Sequence, residues 1–250
     1  MSVILPLANV LQPLIDVANS VLKFFYNNVY ESWGLAIIFL TIVTRLVILP
    51  LSLKQIRSMR SLQAHQPEIK RIQERYKDDR QRLQRELMDF YRENKINPFA
   101  SCVPLLLQLP VFFALFSLLR SDEFNQEINA PGSSPDFLGV TLDEKATGIA
   151  LLILIVLYFV TMVGSTSIMA SSAEGSQRLM MYALPVIFTP FVINFPAGLV
   201  VYWITTNLWT MGQQWVVKQV IPAPPKPTEE EEKTAKPPPP PPRKRKKRRR

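Results

Sequence analysis

Five apolar runs, at 34–53, 101–119, 148–170, 179–193 and 198–217, dominate this 250-residue chain, and none contains an aspartate or a glutamate. A helix needs about 17–25 residues to cross a hydrocarbon core of roughly 30 Å. Most of the runs approach or exceed that length, and 179–193 is the shortest. Hydrophobic residues make up 48% of the chain; their concentration in these runs carries the assignment. The expected fold is an all-α membrane protein, a five-span helical bundle.

The charges between the runs orient it. Segment 54–97 holds 12 Lys/Arg against 7 Asp/Glu, and the tail from 222 holds 11 Lys/Arg against 4 Glu. Segment 121–147 reverses the sign, with six acids (Asp122, Glu123, Glu127, Asp136, Asp143, Glu144) against Lys145 alone. Basic flanking loops stay in the cytoplasm. That rule puts 54–97 and the tail inside and 121–147 outside, and five spans then put the N-terminus outside.

Three regions are expected. Residues 1–30 lack a basic n-region and a cleavage site, so a cleaved signal peptide is not expected. Apolar residues spaced around Asp16, Asn19 and Lys23 read as an amphipathic helix on the outer membrane surface. Residues 31–221 form the five-span core, with a cytoplasmic helical hairpin over 54–97. In the hairpin, Pro67 suits a first helical position, Asp78 and Asp79 suit a helix start, and the turn is expected near 77–79. Asn97 is expected to cap the second span. Residues 222–250, proline-rich and then basic, have the composition of a disordered tail.

The polar residues inside the runs carry the functional information. Arg45 lies about 16 Å along the helix from the start of its run, near mid-membrane, where an arginine costs about +2.5 to +3.5 kcal/mol. Thr41 and Ser52 share its helical face. Gln108 adds an amide in the second span, and Tyr202, Trp203, Thr205, Thr206 and Asn207 form a polar and aromatic patch in the fifth. Intramembrane polar groups usually face a bundle interior or a wet cavity. With no acid in any run to pair with it, Arg45 is free to attract a visiting one. The alternative is an arginine snorkelling to an interface.

Chemistry at a covalent site is not expected. The single histidine, His65, is in the polar hairpin, away from the serines of "GSTS" at 164–167, so no serine–histidine pair can form. No run holds an aspartate pair, and no phosphate loop or metal-ligand cluster appears. The one cysteine, Cys102, excludes an intrachain disulfide and reads as a packed thiol. No enzyme activity, cofactor or metal is therefore expected.

The stretch "WGLAIIFLTIVTRLVILPLSLKQIRSMRSLQAHQPEIKRIQERYKDDRQRLQRELMDFYRENKINPFASCVPLLLQLPVFFALF", followed by "FPAGLVVYWITTNLWTMGQQ", strongly resembles the YidC/Oxa/Alb family of membrane protein insertases, its bacterial branch above all. The resemblance covers roughly 30–220 and is carried by the spacing from TxxxR through the charged hairpin to NPxxxCxPxLLQxP. It implies a bacterial cell membrane protein with a five-span core, a cytoplasmic hairpin and a groove open to the cytoplasm and to lipid. The family's groove arginine falls on Arg45, its preceding polar position on Thr41, and its fifth-span aromatic pair on Tyr202 and Trp203. Gln108 and Asn207 join them on chemical grounds. The chain departs from the long Gram-negative form, which carries a large external domain between two early spans, and from the lipid-modified N-terminus common in Gram-positive members.

The implied function is insertion and folding of nascent membrane proteins, alone or beside the Sec translocon, with membrane lipids as the other partner and no small-molecule substrate. The basic run Arg243, Lys244, Arg245, Lys246, Lys247, Arg248, Arg249 and Arg250 suits ribosomal RNA phosphates and equally anionic lipid heads. Two other classes stay open from the residues alone. One is a small transporter whose anionic solute meets Arg45, although no internal repeat is present. The other is a purely structural scaffold in which Arg45 is replaceable.

Overall fold

The structure, a computed structural model, describes residues 4–94, 96–97, 103–170 and 175–220, and within these not the side chains of 4–10, 63, 103–105, 107, 169–170, 175–177, 180 and 184–185. Cys102, Pro98 and the basic tail fall outside the described residues. The elements in chain order are α1 (Ile4–Asn28), α2 (Trp33–Ala64), α3 (Gln66–Arg75), α4 (Arg80–Glu93), α5 (Val103–Leu119), α6 (Asp122–Ile128), β1 (Asp136–Phe137), β2 (Val140–Thr141), α7 (Gly148–Ala170), α8 (Gly175–Val192) and α9 (Ala197–Val220). Each of the five apolar runs has one helix of its own: α2, α5, α7, α8 and α9. By length and composition, the described stretches Trp33–Leu62 and Gly148–Ile168 are long and apolar enough to cross a membrane, while Gln108–Leu119 and Met181–Val192 are shorter apolar helices.

The helix α2 does not stop where its apolar run ends. It continues through 54–64 because that stretch holds neither glycine nor proline, and it breaks at His65, since a continuous helix would need the N–H that Pro67 lacks and would set its ring against the carbonyl of residue 63. Pro67 sits in the first turn of α3. Asp79 caps α4 by accepting from the Arg82 N–H at 3.1 Å. The bend between these two helices falls at 76–79, where Arg82 lies over the Tyr76 ring at 5.0 Å. Asn97 stands well ahead of Val103, the first described residue of α5, so the expected cap lies against residues outside the description.

The sequence lays 1–30 on the outer membrane surface. In the structure α1 is amphipathic, but much of its apolar face is covered by protein. Tyr26 stacks on Trp33 at 4.1 Å and Phe25 on Phe39 at 5.0 Å. Leu14, Val17, Ala18 and Val21 line an apolar cavity of about 220 Å³ together with residues of α2 and α5 and Tyr202 of α9. The helix therefore runs antiparallel alongside α2, with Leu22 fully buried at their junction. A stripe at i, i+3, i+4, i+7 suits a protein groove as well as a lipid surface.

The all-α expectation omits a two-stranded ribbon. Strands β1 and β2 pair antiparallel, Asp136 with Thr141 and Phe137 with Val140. Leu138 and Gly139, both at positive φ, make the two-residue turn that such a hairpin requires. Two residues per strand are too few to produce a readable alternation. The ribbon closes one end of the bundle: the Gly198 N–H donates to Leu142 O and the Ala197 N–H to Glu144 O, both at 2.8 Å. Gly198 permits this approach, since a Cβ there would lie 3.1 Å from Leu142 O and from Ile37. The core beneath is Ile37, Leu115, Leu119, Phe124, Ile128, Leu142 and Leu199.

Candidate functional site

Three helices converge below that core. Arg45 of α2, half-buried, extends its guanidinium Nη2 to Gln108 Oε1 of α5 at 2.6 Å. The Gln108 Nε2 in turn donates to the hydroxyl of Tyr202 on α9. Tyr202 is 2% exposed and ends the chain against the core. The amide of Gln108 is thus fixed at both ends, its oxygen held by the cation and its nitrogen by the phenol. Arg45 has five N–H donors in a planar fork, and one bond, to a neutral amide, does not exhaust them. Among the described residues no carboxylate lies within ion-pair distance of Arg45.

The remaining expected residues surround this triad without joining it. Thr41 is fully buried and donates its hydroxyl to Ile37 O at 2.7 Å, so it packs behind Arg45 rather than lining an open surface. Trp203, next in sequence to Tyr202, points away on a helix and enters an aromatic cluster, stacked on Phe112 at 5.3 Å and beside Phe195, Phe188 and Tyr158. Asn207 is buried in the seam with α7, its Nδ2 3.4 Å from Thr161 Oγ1.

Two residues beside the site, Trp209 and Gln213, escape the sequence reading, which places only Ser52 there. The Gln213 Nε2 on α9 donates to Ser52 Oγ on α2 at 2.8 Å, and the Trp209 indole N–H donates to Gln213 Oε1 at 3.1 Å. Counting i+4, i+7 and i+11 from Tyr202 reaches Thr206, Trp209 and Gln213, one continuous helical face. The same count from Thr41 reaches Arg45, Ile48 and Ser52. Two facing stripes are joined at one level through Gln108 and at the other by direct contact. Among the described residues no group of three His, Cys, Asp or Glu gathers as a metal would need.

A tight cap lies at the other end of α1 and α2. Lys23 reaches Glu127 at 2.5 Å and Glu123 at 3.5 Å, and the hydrogen bond to Glu127 raises its pKa above the ordinary lysine value. The Trp33 indole donates to Ser133 Oγ at 2.7 Å, and Phe124 packs edge-on beneath Trp33.

The family model described as 60Kd inner membrane protein matches residues 24–224. Relatives named membrane protein insertase YidC are similar over most of the chain. That of Streptomyces avermitilis is 36% identical over 225 residues, covering 77% of this chain and 53% of the relative. That of Syntrophobacter fumaroxidans is 38% identical over 205 residues, covering 80% and 36%. That of Francisella tularensis subsp. novicida is 41% identical over 187 residues, covering 74% and 32%. A crystal structure of an active YidC insertase with its first transmembrane domain resolved superposes with a TM-score of 0.62 at 28% identity, over 81% of this chain and 46% of that one. The chain thus spans about half the length of these relatives or less. The match over 24–224 takes in the Arg45–Gln108–Tyr202 triad and all five apolar helices, and this chain belongs to the 60Kd inner membrane protein family.

Proposed function

We propose that this protein is a bacterial membrane protein insertase, whose clients are nascent membrane proteins. The observation that carries the reading is Arg45: a half-buried cation in an apolar helix, held by Gln108, which Tyr202 fixes in turn, with no carboxylate of its own among the described residues. The relatives' name, membrane protein insertase, supports the same function. The apolar faces of α7 and α8 support a lipid setting. Ile149, Leu152, Ile153, Val156 and Val160, at helical spacing along α7, and Val186, Ile187 and Phe191 on α8 are exposed, more large apolar side chains than a water-facing surface usually carries.

In this reading α2, α5, α7, α8 and α9 cross the membrane, α3 and α4 form the cytoplasmic hairpin that meets the client, and the cap from α6 to β2 lies outside. Water enters the space between the α2 and α9 stripes from the cytoplasm and lowers the cost of Arg45 at depth. An acidic client tail is drawn to the guanidinium. At about 4 Å and an effective dielectric near 20 the attraction is roughly 4 kcal/mol, comparable with the cost of an acid at mid-bilayer on insertion scales. The client's apolar helix then leaves sideways into lipid, and its burial drives the tail across. Thr41, Trp203 and Asn207 act as supports: Thr41 sets the face of Arg45, Trp203 braces the aromatic cluster, and Asn207 ties α9 to α7. The Sec translocon is a proposed co-worker. The basic tail is proposed to dock on polyanions, either ribosomal RNA or lipid heads.

The test is insertion of a single-span client with an acidic tail into vesicles containing purified protein. Arg45→Ala is expected to slow it at least tenfold, while a client whose tail is neutral loses much less. Equal rates for parent and variant would sink the charge-attraction mechanism. Flux of a small anion through the same vesicles without a client would favour a transporter instead.

A further inference from the structure

The polar stripes do not end at Arg45. Ser52 lies seven residues further along α2, about 10 Å along the axis, and is bonded across the groove to Gln213. The side chains that meet between α2 and α9 at this level are neutral, and Lys54, in the same turn of α2, is exposed. The Trp209 N–H satisfies Gln213 Oε1. Ser52 Oγ donates to Leu49 O at 3.0 Å. Gln213 Nε2 makes one bond and retains a second N–H. Gln55, one turn beyond Ser52 on the same face of α2, is only 9% exposed, and its Nε2 has no hydrogen-bond partner. A buried N–H left unmade carries its full desolvation penalty, so this level holds an excess of donors that an incoming acceptor would relieve. Neither α2 nor α9 contains an aspartate or glutamate to supply that acceptor.

We propose that Ser52, Gln55 and Gln213 form a neutral receiving step on the cytoplasmic side of Arg45, which takes the polar segment of a client by donating amide N–H groups to its carbonyl and carboxylate oxygens. This rests on the insertase reading above and adds a second, charge-independent contact to it. The Gln213–Ser52 bond opens as the client arrives, and the freed N–H groups exchange one acceptor for another at little net cost. The segment then moves about two to three helical turns deeper, where Arg45 selects for negative charge. A client with a neutral polar tail therefore uses the first step and gains little from the second.

Gln213→Glu separates this role from that of a structural strut. A glutamate at 213 still accepts from the Trp209 indole and from the Ser52 hydroxyl, so the brace between α9 and α2 persists, but the N–H donors are lost. Insertion would be timed in vesicles for two clients that differ only in tail, one acidic and one of asparagine and glutamine. Both are expected to slow, the neutral one about threefold and the acidic one about tenfold, because the new carboxylate also repels it. Gln55→Leu, which removes a donor with no bond to break, should slow both about twofold with unchanged melting temperature. Parent-like rates for both clients in Gln213→Glu would overturn the proposal. If Arg45→Ala still slows the acidic client in that case, the receiving step alone has failed; if Arg45→Ala is also silent, the groove mechanism has failed with it.

Discussion

Two cations anchor this molecule, and their surroundings differ in kind. Lys23 at the cap has two resident carboxylates, Glu127 at 2.5 Å and Glu123 at 3.5 Å, and lies in water-accessible surroundings. Arg45 in the apolar α2 has a neutral amide at 2.6 Å and no acid. A cation used only for structure would be arranged the other way, because a charge in low dielectric needs a partner more than an exposed one does. The pairing sits where solvent already screens it and is missing where it would matter most. On the proposed insertase reading, the cap is built to be closed and the site around Arg45 to be completed by a client that comes and goes.

The largest effect should come from completing the groove permanently. Gln108→Glu places a carboxylate at the 2.6 Å contact, giving Arg45 the partner it lacks while keeping the side chain's size. The acidic client should then insert at least tenfold more slowly, because its tail must compete with a resident acid, and the neutral client should be affected much less. A melting curve in detergent should be unchanged or shifted upward, since the new ion pair replaces a single amide contact. Faster insertion of the acidic client would break the comparison outright.

Next in size is Tyr202→Phe. It removes the acceptor of the Gln108 Nε2 bond and so frees the amide to rotate away from Arg45. A buried hydrogen bond of this kind is worth about 1 kcal/mol, so roughly a fivefold loss of acidic-client insertion is expected, with the neutral client unaffected. Equal losses for both clients would mean that Tyr202 supports the helices rather than the charge site. Trp203→Leu is the control, because Trp203 faces the cluster of Phe112, Phe188 and Phe195. It should lower the melting temperature and change both insertion rates alike.

How much of this was legible in the sequence depends on the length of the pattern. The five apolar runs each extend over fifteen or more residues, and Arg45, the lone arginine within them, stands out against its background. Which side chain meets which was less legible, because neighbouring residues on one helix point to different partners. Tyr202 and Trp203 look like a pair in sequence, yet they serve two different faces of α9. Thr41 looks like a lining residue, yet its hydroxyl is satisfied by Ile37 O four residues earlier and is sealed from the open surface. Gln213 carried no signal alone; it becomes visible only when counted in helical steps from Tyr202 and matched with Ser52, 161 residues away. The ribbon from β1 to β2 and the packing of α1 on α2 and α5 depend on contacts between distant segments, which periodicity does not encode.

The smallest effect belongs to the cap. Lys23→Gln removes both ion pairs between α1 and α6. Its side chain is 37% exposed and that of Glu123 71%, so screening limits the loss to about 0.5 kcal/mol, readable as a drop of a degree or two in melting temperature. Insertion of either client should be unchanged. The pH dependence has a definite sign. The pKa of Lys23 is raised above 10.5 by Glu127, so its contribution is complete below about pH 10.5 and is lost as pH rises through the raised value. Parent and Lys23→Gln melting temperatures should therefore differ at pH 8 and converge above that pKa. A difference that persisted there would show that the packing of the lysine stem on α6, rather than its charge, holds the cap closed.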